Sequence, residues 1–145
     1  MALKEFTDLS NQILSDSALT EQQKEEKIIQ LADLTRFIEC YNSSIKTSEY
    51  ELRGKVNIIV DEGRDKGILF CDINSLQNTV SYTQLVAEAK RNHGGVKELW
   101  LVFVRERETE DTSPALEFIQ QENIRYIFDK LFLFDFFKKQ VLSLN

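Results

Sequence analysis

The sequence predicts an α/β protein: a three-layer mixed sheet with flanking helices, preceded by an N-terminal helical hairpin. Three observations carry that prediction. Two apolar runs, Val56 to Val60 and Ile68 to Cys71, flank the polar, glycine-containing turn "DEGRDKG", the signature of a β-hairpin. The run "ELWLVFV" is continuously apolar and rich in β formers, the pattern of a central strand covered on both faces. Around these runs, helix-start and helix-stop signals recur so that helices alternate with strands.

Taken in order, "LKEFTDLSNQILSDSAL" places Leu3, Phe6, Leu9, Ile13 and Leu14 at helical spacing before a turn. Thr20 with Gln23 forms a capping box for a second helix, whose apolar stripe is Leu31, Leu34, Ile38 and Tyr41. That stripe covers too few heptads for a coiled coil and is expected to pack on the chain's own sheet. "YNSSIKTSE" breaks the periodicity and the hairpin follows. Ser81 with Gln84 caps the helix "YTQLVAEAKRN", which Gly94 and Gly95 close. After "ELWLVFV" and the charged loop "RERETEDT", Ser113 caps a helix with Pro114 at its first position, running through "ALEFIQQEN". The tail reads as a strand, Ile124 to Phe128, and a terminal helix. The expected order is α-α-β-β-α-β-α-β-α, in one domain of a 46-residue hairpin region packed on a core over residues 50–145.

At 145 residues the chain is large enough to bury a core without staples. It has no run of 18 apolar residues and no signal-peptide pattern at "MALKEFTDLS", so no membrane partner is expected and a cytoplasmic location is. Cys40 and Cys71 sit in apolar segments without metal-ligand spacing and read as two buried thiols. His93, the single histidine, reads as a helix-end residue. A formal charge of −6 weakens the case for a generic nucleic-acid coat. It leaves room for a local basic patch from Lys90, Arg91 and Lys97 with Lys138 and Lys139.

The stretch "GILFCDINSL" carries the chemistry. Its apolar run ends in Asp72 and Asn74, one residue apart and so on one face of a strand. A hairpin, a crossover helix to a buried strand, then another helix and strand resembles the core of the restriction-endonuclease-like superfamily, the PD-(D/E)xK nucleases, over about residues 50–140. The resemblance implies two acids and a lysine that hold a divalent metal and activate water. Their places are taken here by Asn57 for the first acid, Asp72 for the second and Asn74 for the lysine. A neutral amide removes one anionic oxygen ligand, and the lost lysine removes a cation that could orient water. A rearranged site is the alternative: Asp61 lies two residues beyond Ile59 on the Asn57 side of its strand, and Glu88 lies four residues after Gln84 with Lys90 close behind. Asp72 would be the metal ligand in that case. A thioredoxin-like or flavodoxin-like arrangement is the rival fold, though no Gly-rich phosphate loop follows a strand.

"FDKLFLFDFF" holds five of the ten phenylalanines, too many for one narrow helical stripe. As a terminal helix it would present a wide apolar arc, with Phe132, Phe134, Phe136 and Phe137 as partner-binding candidates. The functional expectation is a non-catalytic nuclease-fold protein acting by binding, as a subunit or accessory of a DNA-associated system or as a homodimer. It needs no cofactor. One alternative is an active Mg²⁺-dependent nuclease with the rearranged site, and another is a protein-interaction module unrelated to nucleic acid.

Overall fold

The computed structural model describes residues 3–42, 46–53, 56–61, 63–73, 87, 89, 91, 96–107, 109–120 and 127–144, and the architecture is that of these residues. Two helices come first, α1 (Leu3–Leu14) and α2 (Glu21–Tyr41). The capping box is present as the sequence predicts: Gln23 N–H donates to Thr20 Oγ1 at 3.2 Å, and Thr20 N–H donates to Gln23 Oε1 at 2.9 Å. Two otherwise orphaned donors at the helix start are thereby satisfied. The helix buries Leu31, Leu34, Phe37 and Ile38, and it stops where Asn42 N–H donates back to the Ile38 carbonyl.

Six strands follow: β1 (Lys46–Arg53), β2 (Val56–Asp61), β3 (Arg64–Asp72), β4 (Glu98–Arg105), β5 (Lys130–Asp135) and β6 (Gln140–Ser143), with a short helix α3 (Ser113–Ile119) between β4 and β5. They form one sheet in sequence order. β1, β2 and β3 are an antiparallel meander, β3, β4 and β5 run parallel, and β6 returns antiparallel to β5. Parallel neighbours need crossovers. Between β3 and β4, Ala87, Ala89 and Arg91 are helical and Ala89 is fully buried.

The β2–β3 hairpin closes more tightly than the apolar runs suggest. Asp61 pairs with Arg64, and Gly63 takes φ 74°, a left-handed conformation that costs glycine little. Strand β3 therefore begins at Arg64 and includes Gly67, where a Cβ would lie 3.0 Å from Leu99 Cδ1 and 3.1 Å from Val56 Cγ1. The meander can approach β4 there because no side chain stands between them.

Each face of the sheet has its own core. On one, α2 covers Ile59, Ile68, Trp100, Val102, Phe132 and Phe134. On the other, α3 and Ala89 pack with Val56, Ile58, Leu69, Leu101, Phe103 and Leu131. Strand β4 serves both cores, with Leu99 through Val104 all buried.

Three expectations need correction. The segment before the hairpin is a strand, β1, whose polar alternation hid it. The strand expected at Ile124 to Phe128 does not form at Ile127 and Phe128, and residues 124–126 lie outside the described ones. The terminal helix is instead the β5–β6 hairpin: Leu131 and Leu133 face one core while Phe132 and Phe134 face the other. Period-two burial on both faces explains a phenylalanine density that no helical stripe could absorb. A smaller correction falls at α3, where Thr112 occupies the cap position without a side-chain bond and Ser113 is already helical. The Ser81 capping box lies outside the described residues.

Phe132, 5 % exposed, meets Tyr41 and Trp100 edge-on and Phe37 at a tilt, with ring centres 5.2–5.8 Å apart. Its replacement by alanine should cost about 3–5 kcal/mol of stability, because neighbours locked in the sheet cannot close the cavity. Phe137→Ala, at a ring 38 % exposed, should cost less than about 1 kcal/mol. Urea unfolding of the two variants side by side checks this, and equal losses would contradict the strand.

Candidate functional site

Strands β3, β4 and β5 run parallel and end together, at Asp72, Arg105 and Asp135. Each of the three apolar runs ends in a charged residue. Arg105 and Asp135 are register partners, and Arg105 Nη1 stands 3.5 Å from Asp135 Oδ1. Asp135 is 3 % exposed, and its Oδ1 is held by charge without a hydrogen bond. The guanidinium is fixed from two more directions. Its Nε donates to the Glu110 carbonyl at 2.9 Å, and the Phe137 ring lies 5.2 Å from its central carbon. Glu110 in turn accepts from Glu106 N–H through Oε2 at 3.4 Å, which ties the loop after β4 to the strand end.

Helix α2 brings Asp33 to the same end on the opposite face. Burial pushes the Asp33 carboxyl up to about 6, Arg36 one turn along opposes the rise, and the charges of Glu106 and Asp72 add to it. Asp72 itself is exposed. The strand end thus combines one exposed carboxylate, one half-buried carboxyl that titrates near neutrality, and a clamped arginine.

The residues singled out in the sequence do not converge there. Asn57 pairs with Ile68, four positions before Asp72 and about 13 Å away along the strand. It is fully buried, and its Nδ2 donates to the Ile68 carbonyl at 3.1 Å and to Gln30 Oε1 at 3.4 Å. Asp61 pairs with Arg64, so the eight positions from 64 to 72 place it about 26 Å from Asp72, at the other end of the hairpin. A site shared by Asp61 and Asp72 is thereby overturned, since antiparallel pairing carries the ends of β2 and β3 in opposite directions. Asn74, Glu88 and Lys90 lie outside the described residues. Phe132 and Phe134 belong to the core, which removes them from any surface patch of the folded chain, while Phe136 is half-buried and Phe137 exposed.

The sequence expectations do not include Asp33, Arg36, Arg105 or Asp135. The signal for two of them was available: "LWLVFVR" and "LFLFD" end in a charge just as "GILFCD" does. Nothing in the spacing of α2 marks Asp33, which is set apart only by its neighbours from β3 and the loop after β4.

At the far end of the sheet, Lys66, 5 % exposed, pairs with Glu98 and holds that carboxyl below its usual range. This pair joins the starts of β3 and β4 and has a structural role. Among the described residues no three His, Cys, Asp or Glu side chains lie close enough to hold a metal ion, and no helix is long and apolar enough to cross a membrane.

Fold and strand end define an α/β protein with a six-stranded mixed sheet, flanking helices and a charged edge at the carboxyl ends of its parallel strands. Neither the protein-family models nor the curated proteins compared with the chain match it.

Asp33 makes stability depend on pH in a defined direction. Its folded-state value lies above the ordinary 3.8, so the folded chain favours the protonated form. That contribution is complete below about pH 4 and is lost as pH rises through about 6. Asp33→Asn should therefore match the parent at low pH and exceed it by about 1–2 kcal/mol at pH 7.5, solvent contact having reduced the full effect. Chemical denaturation across this pH range measures the gap. A gap that does not change with pH would contradict the burial of Asp33.

Proposed function

We propose that this chain is a nuclease-fold protein that works by binding instead of cleaving, as a subunit or accessory of a DNA-associated system. The β2–β3 hairpin, the crossover to the buried β4, then α3 and β5 follow the order on which the resemblance to the restriction-endonuclease-like core rests. The observation that carries the non-catalytic part is Asn57. Its carboxamide donates to two oxygens inside the protein, and a carboxylate in its place would face both acceptors with no proton to offer. The position taken for the first acid is thus a hydrogen-bonding strut between α2 and the hairpin.

A second reading, the Mg²⁺-dependent nuclease with a rearranged site, draws on one observation. The charges of Asp72 and Glu106 both reach Asp33, which brings carboxyl groups from α2, β3 and the loop after β4 to one strand end, although among the described residues they do not stand close enough together to hold a metal ion. Asp61 has no part in that version.

The two readings part in a cleavage assay. Purified protein should leave plasmid and single-stranded DNA intact with Mg²⁺ or Mn²⁺. Asn57→Asp should restore no cutting and should cost about 3 kcal/mol of stability, as expected for an unpaired buried charge. Metal-dependent cleavage that disappears in Asp72→Ala would reject the binding role in favour of the nuclease.

A further inference from the structure

Between the second half of α2 and the β5–β6 turn lies an open groove of about 710 Å³, lined by Arg36, Glu39, Cys40, Phe134, Phe136 and Lys139. Arg36 also acts on Asp33 at the strand end, but none of the groove residues stands at a position taken for the acids or the lysine of the nuclease motif, so a role for the groove is independent of the nuclease-fold reading. The Arg36 guanidinium lies 5.1 Å from the centre of the Phe136 ring, and Phe134 meets the same ring edge-on at 4.8 Å. Among the described residues neither Arg36 nor Lys139 has a side-chain ion pair or hydrogen bond. Arg36, whose charge also acts on Asp33 without a close ion pair, and Lys139 thus line one groove with the aromatic wall.

Lys139 carries a second, independent sign. It takes φ 52°, the one described non-glycine residue in the left-handed region. Lysine is uncommon there and glycine or asparagine would be less strained, so the turn tolerates strain while presenting an ammonium group to the groove. Next to it, Lys138 and Arg105 flank the Phe137 ring at 5.6 and 5.2 Å. On a chain of net charge −6, this end gathers four cations around two rings, and all but Arg105, which is paired with Asp135, stand outside a close ion pair among the described residues. Anions are drawn to such a place even when the whole molecule repels them.

We propose that the groove binds a nucleoside monophosphate, with its phosphate between Arg36 and Lys139 and its base against Phe136. Two cations match a phosphate monoester, which carries about −1.5 to −2 at neutral pH, whereas a carboxylate would leave one unmatched. Glu39, in the same lining, is an acceptor for an N–H or O–H of the base or sugar. Burial and Glu39 push the Cys40 thiol up, with Lys139 opposing, so Cys40 is a neutral apolar contact. The volume falls within the roughly 300–1,000 Å³ of small-molecule sites, which favours a free nucleotide over a strand.

Calorimetric titration with AMP, adenosine, inorganic phosphate and a 5′-phosphorylated oligonucleotide tests the assignment. AMP should bind at least about tenfold more tightly than adenosine or phosphate alone, since each lacks one half of the recognition. Lys139→Asn and Arg36→Gln should each weaken AMP about tenfold. The first should leave the melting temperature of the free protein unchanged or higher, because asparagine accepts the left-handed turn. AMP should also slow alkylation of Cys40, the more accessible of the two free thiols. Absence of binding, equal binding of adenosine, or AMP affinity unchanged in both variants would overturn the proposal. Tighter binding of the oligonucleotide than of AMP would overturn the assignment to a free nucleotide.

Discussion

Burial of β4 from both sides at once is the constraint on which the rest of the structure depends. Leu99 through Val104 present side chains alternately to two cores, and each such residue removed from water contributes roughly 1.5–3 kcal/mol. Neither core can form unless a helix covers its face, so α2 and α3 are required on opposite sides. Parallel neighbours on both edges of β4 complete its hydrogen bonding, and that in turn forces the crossovers. The start of β5 is fixed to β4 by a reciprocal pair of bonds. Asp129 N–H donates to the Leu99 carbonyl, and Leu99 N–H donates to Asp129 Oδ2, both at 2.8 Å.

The charged edge follows from the same constraint. The three parallel strands end at nearly the same level, with Arg105 opposite Asp135 and Asp72 opposite Val104, one position before Arg105. Arg105 and Asp135 pair there in near burial, an arrangement that favours a specific register more than it favours stability. Asp72 ends exposed beside them, one strand over. The β5–β6 turn projects from this edge too, anchored by Phe136 N–H donating to the Arg105 carbonyl at 3.0 Å. Phe137, Lys138 and Lys139 are therefore exposed although they come directly after the most apolar stretch of the chain, while Phe136 stays half-buried against Phe134.

Much of the fold was legible because local chemistry agreed with the tertiary outcome. The Thr20–Gln23 box, the Leu31–Leu34–Ile38 stripe, the hairpin around Gly63 and the central strand all form as their residues predict. β1 was missed because "KTSEYELR" alternates polar groups in a way that loops share. The C-terminal hairpin resembles a helix in sequence because "KLFLFDFFKKQVLS" has no glycine or proline to mark a turn. Lys139 makes that turn in a conformation usually left to glycine or asparagine. The candidate site was less legible still. Asn57 and Asp72 were grouped by their places on neighbouring strands, but the pairing of Asn57 with Ile68 sets them four positions apart.

What the sequence determined by itself is whatever depends on neighbours within a few residues: caps, helical stripes, the hairpin, and which runs must be buried. Those follow from backbone bonding and side-chain period, which act over short range. Tertiary structure alone decided which charges meet. Asp33 acquires its raised affinity for a proton from burial, with the charges of Glu106 and Asp72, far along the chain, adding to it, and Arg105 finds Asp135 only because β4 and β5 pair in one register. Electrostatic coupling acts through space and depends on desolvation, and neither the separation nor the dielectric surroundings of two charges is written in their spacing along the chain.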